Sequence, residues 1–184
     1  MSLENRAKIA ATRMHASINH MRKYPENTPY ITHPAAVVQI LKGVKGVTPE
    51  GFAAAWLHDV VEDVFKGRRA EGLAWVLANF GQRVHDLVEM LTDPDYPGMD
   101  DPDPKKRPGR GTRMRMNRDH TALADWEGQT IKLADLIHNT FSIVKYDKDF
   151  AVVYLAEKCL LLPMMTKGDR KLWKQAWELA HQKV

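Results

Sequence analysis

One cysteine, Cys159, stands alone in 184 residues, so no disulfide can form within the chain, and its usage fits a reducing compartment. It sits in an apolar helical stretch, where a packed thiol is the expected reading. No run reaches the roughly 18 apolar residues that a membrane-spanning helix requires. The polar, charged N-terminus lacks the apolar core of a signal peptide. Runs that alternate apolar and polar residues are missing, which argues against strands, and there are no internal repeats. These absences predict a soluble, cytoplasmic, helical protein, with no membrane partner.

What is present is ordinary in bulk and unusual in places. Hydrophobic residues make up 44% and charged residues 27%, near the average for a globular chain. The length suits one domain, expected over residues 1–184. The net charge of +4 is concentrated: Lys105, Lys106, Arg107, Arg110, Arg113, Arg115 and Arg118 crowd one short stretch. That run reads either as a solvated basic loop or as an electrostatic collar for a phosphorylated ligand. No aromatic residue interleaves with it, so nucleic acid is not an expected partner. Self-association is left open.

Helical spacing dominates the pattern. A first helix is predicted from Leu3 to about Met21, and a second from Pro34, a residue suited to a first turn, to about Leu41. Thr48-Pro49-Glu50 reads as a cap, a first-position proline and an early acid, opening a third helix. Further helices are expected over about 70–79, 82–91, 112–124, 127–145, 150–165 and 170–182, with a break at Gly81. Ile131, Ala134, Ile137 and Phe141 keep helical spacing, and Trp173 and Trp177, four apart, mark an apolar face read as core. Between the expected helices at 82–91 and 112–124 lies a Pro/Arg-rich insert at about 92–111, holding five prolines. The fold class is all-α.

The third helix is the most informative segment. It carries His58-Asp59 and Glu62-Asp63 inside the apolar run that begins Ala53-Ala54-Ala55-Trp56-Leu57. If the helix is continuous, His58 lies above Glu62 and Asp59 above Asp63. Burying such groups costs several kcal/mol each unless a cation or counter-charge compensates. His33 at a loop end and Asp135 inside Ile131-Lys132-Leu133-Ala134-Asp135-Leu136 complete a set of imidazole and carboxylate donors for a divalent ion. Asn139 falls one turn beyond Asp135. Singly, each residue reads as a structural histidine, a cap or an ion pair. Together they read as a site. Of the remaining histidines, His20 and His138 lie nearest these motifs.

Three blocks carry a resemblance: Arg22-Lys23-Tyr24-Pro25-Glu26-Asn27-Thr28-Pro29-Tyr30-Ile31-Thr32-His33-Pro34, Ala55-Trp56-Leu57-His58-Asp59-Val60-Val61-Glu62-Asp63, and Ile131-Lys132-Leu133-Ala134-Asp135-Leu136-Ile137-His138-Asn139. Their order and spacing resemble the HD superfamily of metal-dependent phosphohydrolases. More narrowly, they are similar to the hydrolase domain of Rel/Spo-type alarmone enzymes and their small stand-alone relatives. The resemblance implies an HD-domain helical bundle with one Mn²⁺ held by His33, His58, Asp59 and Asp135. It implies Glu62 and Asp63 as the catalytic acidic pair, and hydrolysis of the 3′-pyrophosphate of ppGpp or pppGpp to GDP or GTP and pyrophosphate.

Around that chemistry, Arg22 and Lys23 are read as phosphate contacts, or as a solvated helix end. Tyr24 stacks on the base or merely packs. Asn139 hydrogen-bonds the ribose or a phosphate, and Tyr154 and Lys158 take the places where the family presents a tyrosine and an arginine to the nucleotide. Two departures stand out. The insert is long, and Thr140-Phe141-Ser142 follows Asn139 where many relatives carry an arginine. The same metal site is compatible with an adenosine alarmone, the 2′-phosphate of NADPH, another nucleotide phosphate, or a non-catalytic nucleotide sensor.

Overall fold

Ten α-helical segments and no β-strand make up the described residues, with one isolated bridge between Met21 and Pro29. The computed structural model describes residues 1–99 and 101–183; Asp100, within the predicted insert, and Val184 lie outside the described residues. The all-α expectation holds. No helix described is long and apolar enough to cross a membrane.

Helix α1 (Leu3–Ser17) opens on Ser2, whose hydroxyl accepts from Asn5 N at 3.3 Å. It buries Ala7, Ala11 and His15, four apart and so on one face, against α3 (Pro49–Leu57). It ends short of the predicted Met21. Asn19 adopts φ 49°, Asn19 N donates to Ala16 O, and His20 N donates to His15 O, both at 3.0 Å. This left-handed stop satisfies the last carbonyls of the helix, and asparagine is one of the few residues that adopts it readily.

Helix α2 (Thr32–Leu41) carries Pro34 in its first turn and buries His33, Val37, Val38 and Leu41. Thr48 caps α3 as predicted, accepting from Gly51 N at 3.0 Å. The expected continuous third helix is corrected by the structure. It stops at Leu57, His58 and Asp59 form a turn, and α4 (Val60–Asp63) begins with Asp59 at its N-cap. Next come α5 (Arg69–Phe80) and α6 (Gln82–Leu91), divided by Gly81 at φ 86°. The insert leads through a short 3₁₀ turn (Pro104–Lys106) into α7 (Arg110–Leu123).

Helix α8 (Trp126–Tyr146) is the axis, packed by α2, α3, α6, α9 (Lys148–Leu161) and α10 (Arg170–Ala180). Ile131, Leu133, Ala134 and Ile137 are fully enclosed. Burial of each of the larger ones contributes about 1.5–3 kcal/mol. Phe141, at the same spacing, is 55% exposed, whereas the adjacent Thr140 is buried. Trp173 and Trp177 stack at 5.0 Å and are half-buried against the core. Cys159 is half-buried, its Sγ 3.4 Å from Ala180 O.

A polar chain centred on the buried Glu127 links α8 to α3 and α6. Arg83 reaches Asp125 at 2.7 Å and Glu127 at 2.8 Å. Glu127 Oε1 in turn accepts from Thr48 N and Thr48 Oγ1. These contacts fix the height of α3, and hence of the turn that follows it, relative to α8.

Candidate functional site

Three separate elements deliver four donors to one point. The first turn of α2 supplies His33, the α3–α4 turn supplies His58 and Asp59, and the middle of α8 supplies Asp135. His33 Nε2 lies 3.2 Å from His58 Nε2, 3.1 Å from Asp135 Oδ1 and 3.5 Å from Asp59 Oδ2. His58 Nε2 lies 3.0 Å from Asp59 Oδ2 and 3.9 Å from Asp135 Oδ1. The break in the helix explains how neighbours 58 and 59 can both face inward. On a continuous helix, adjacent side chains diverge by about 100°.

Each donor is aimed by a second contact. His58 Nδ1–H donates to Ala55 O at 2.8 Å, which leaves the Nε2 lone pair facing the centre. His33 Nδ1 meets His138 Nδ1 at 2.7 Å. Asp135 accepts from Asn139 Nδ2 at 2.6 Å and pairs with Lys132 Nζ at 3.3 Å. Tyr30 OH donates to Asp59 Oδ2 at 2.5 Å. His33, His58 and Asp135 bring ligand atoms within 4.8 Å of one another, and Asp59 Oδ2 adjoins both imidazoles; these donors, almost enclosed, fit a divalent cation, whose charge would compensate theirs.

The electrostatics follow from this crowding. Burial opposes charge on His58, yet Asp59 outweighs it and raises the imidazole to about 9. Burial also works against charge on Asp59 and Asp135. His58 overcomes it for Asp59 and Lys132 for Asp135, holding both carboxyls well below the usual range. Burial, then the charge of Asp93, pushes Glu62 up to about 8. Burial, then Asp59, pushes Asp63 up to about 7. The acidic pair therefore titrates near neutrality, where a general base works best. The two side chains diverge: Glu62 Oε1 accepts from Asp93 N at 2.6 Å, while Asp63 Oδ2 lies 3.6 Å from His20 Nδ1.

Beside the centre runs a cleft of about 360 Å³ whose wall includes Lys132 and Asn139, the two contacts of Asp135, together with Tyr154 and Lys158 of α9. Burial, then Lys132, lowers Lys158 to about 8. A smaller hollow of about 260 Å³ shares Asn139 and holds Arg22, Lys23 and Tyr24. Arg22 donates to Asn139 Oδ1 at 3.3 and 3.4 Å and to Ser142 Oγ at 3.4 Å. Lys23 Nζ lies 3.3 Å from Asp147, to which Tyr24 OH also donates. The basic run contributes less than its density suggests. Of its seven charges only Arg110 and Arg118 line the main cleft, and Arg110 is held by Glu157 at 2.6 and 2.9 Å.

Several neighbours of the centre carried no role in the sequence reading: Tyr30, Asp93, Lys132 and Asp147. Lys132 alone had a usable signal, a cation one turn before a buried carboxylate in an apolar helix. Asp93 and Asp147 lie between helices, where an aspartate is unremarkable.

Similarity to known proteins is consistent with this geometry. A family model described as HD domain matches residues 7–161. The chain is 35% identical over 119 residues to the guanosine-3′,5′-bis(diphosphate) 3′-pyrophosphohydrolase MESH1 of Xenopus tropicalis, covering 64% of this chain and 58% of that protein. It is 34% identical over 147 residues to the GTP pyrophosphokinase of Streptomyces coelicolor, covering 78% of this chain and 15% of that one. A solved structure described as a metazoan ortholog of SpoT that hydrolyses ppGpp shares the fold at TM-score 0.77 and 23% identity, over 97% of this chain and 94% of that chain. The matched region spans about 58% of the first of these relatives, so the likeness to it is partial in length. The chain belongs to the HD domain family.

Proposed function

We propose that this protein hydrolyses the 3′-pyrophosphate of guanosine alarmones, ppGpp and pppGpp, giving GDP or GTP and pyrophosphate. The observation that carries the reading is the convergence of His33, His58, Asp59 and Asp135 beside a cleft walled by Lys132, Asn139 and Lys158. The MESH1 relative, whose name describes this activity, supports it. The four donors would hold one divalent ion, with Mn²⁺ the proposed species. When bound there, such an ion supplies Lewis acidity at a phosphoryl oxygen and lowers the pKa of nearby water.

The chain's own residues do the rest. Water adds to the phosphorus attached to the ribose O3′, the P–O3′ bond breaks, pyrophosphate departs and O3′ takes up a proton. Glu62 or Asp63 accepts the proton of the attacking water, as their near-neutral titration favours. Lys132 and Lys158 offset phosphate charge from the cleft wall, Arg22 and Lys23 from the adjoining hollow. Asn139, at the junction of the two, hydrogen-bonds the ribose or a phosphate. Tyr24 and Tyr154 offer aromatic surface to the base.

The test is incubation with Mn²⁺ and a panel of nucleotides bearing 3′-pyrophosphate, 3′-phosphate or 2′-phosphate, followed by chromatography. Pyrophosphate with GDP or GTP is the expected product. Orthophosphate from a 2′- or 3′-monophosphate would assign a monoesterase instead. Tight binding without turnover would assign a sensor.

A further inference from the structure

A second group of donors sits on the far side of Tyr30 from the four already described. His15, His20 and Asp63 each bring one ligand-type atom to within 4.8 Å of the others. Their placement has a local cause. The left-handed turn at Asn19 folds the chain back, so that His20 N reaches His15 O and His20 Nδ1 comes 3.1 Å from His15 Nδ1. Asp63, the last residue of α4, brings Oδ2 to 3.6 Å from the same His20 Nδ1. The Tyr30 ring stacks on His20 at 3.7 Å and 10°, and lies 4.7 Å from His15, fixing both imidazoles.

Hydrogen bonding joins the two imidazoles across the Nδ1–Nδ1 contact and leaves Asp63 outside it. His20 Nδ1 is common to both contacts, and one hydrogen on it cannot serve His15 and Asp63 together. The Asp63 contact is also too long for a hydrogen bond. His15 is 1% exposed, and it faces His20 through Nδ1. Ligands about 2.0–2.1 Å from a tetrahedral Zn²⁺ stand roughly 3.3 Å from one another. The two spacings at His20 Nδ1, 3.1 and 3.6 Å, lie either side of that edge, and His15 and Asp63 stand within 4.8 Å of each other. Two imidazoles and one carboxylate are a donor set for a borderline cation.

We infer that His15, His20 and Asp63 form a second cation site, of the zinc class, separated from the first by Tyr30. Occupancy does not depend on what the protein hydrolyses. One consequence does rest on the hydrolase reading: a cation on Asp63 removes that carboxylate from proton transfer, so excess zinc inhibits the manganese-loaded protein.

The experiment is equilibrium binding of Zn²⁺ or Co²⁺ to the full chain, to His20→Gln and to Asp135→Asn. Two equivalents are expected for the parent chain and one for each variant, with circular dichroism reporting that each is folded. A Co²⁺ titration of the unaltered chain gives an independent measure, since the second equivalent should develop the intense visible absorption of four-coordinate cobalt. One equivalent in the parent chain, or two retained in His20→Gln, overturns the proposal. One equivalent that vanishes only in Asp135→Asn sinks the second site and spares the first. Inhibition by excess zinc that persists in His20→Gln removes the regulatory consequence.

Discussion

At the scale of single residues, the site is a balance between burial and charge. Glu62 and Asp63 are pushed up to about 8 and 7, so each carries a proton part of the time near neutrality. Replacing Glu62 by Gln keeps the shape and removes the base. We expect kcat to fall about 10²- to 10⁴-fold while the first metal equivalent is retained, measured by product formation alongside metal analysis. Loss of metal in this variant would show that Glu62 supports the ion and not the proton transfer. Lys158 gives a pH signature with a definite sign. Lowered to about 8, it is positive below that pH and neutral above it, so its pull on phosphate is lost as pH rises. The free-protein profile of kcat/KM should therefore fall through about pH 8. In Lys158→Arg the charge persists, and the descending limb should move to higher pH; an unmoved limb would assign it elsewhere. The donors were legible from residue order because histidine and aspartate are conspicuous among alanines, leucines and isoleucines. Asp93 and Asp147 were not, because their importance comes from what reaches them: Glu62 accepts from the backbone N–H of one, and Lys23 and Tyr24 converge on the other.

At the scale of elements, two stops matter more than the helices they end. The left-handed Asn19 closes α1 at Ser17 and turns His20 inward, and the interruption after Leu57 lets His58 and Asp59 face the same point. Periodicity alone reads through both, since neither contains glycine or proline. Asn19 is the recoverable one, being a residue that favours that backbone. Nothing in Leu57-His58-Asp59-Val60 announces a turn. The height of this turn depends on the Glu127–Thr48 contact, and Gly51 is the residue that permits it. A Cβ at position 51 would stand 2.3 Å from Glu127 Oε1 and 3.0 Å from Val47 Cγ1. Gly51→Ala should cost about 1–3 kcal/mol through this overlap, despite the better helix propensity of alanine. Thermal unfolding should show a lower Tm, by about 2–4 °C per kcal/mol for a chain of this size. A raised Tm would mean that Glu127 yields freely and propensity wins.

For the molecule as a whole, α8 joins structure to chemistry. Its Ile131, Leu133 and Ile137 sit in the core while Lys132, Asp135 and Asn139 face the site, so packing of the bundle and alignment of the donors are one event. The density of basic residues in the insert overstated that segment's share in the cleft, because Glu157 on α9 takes Arg110 and most of the other side chains stand outside. Residue order was sufficient for the helical class and the cap at Thr48, and it singled out the proposed donor residues, because these rest on local propensity and on side-chain chemistry that needs no partner to be recognised. It could not say that α1 and α4 bring His15, His20 and Asp63 together, that Lys132 pairs with Asp135, or that Glu62 and Asp63 diverge. Those depend on contacts between groups far apart along the chain, or on a turn whose direction is set by what packs against it, and such distances exist only after folding.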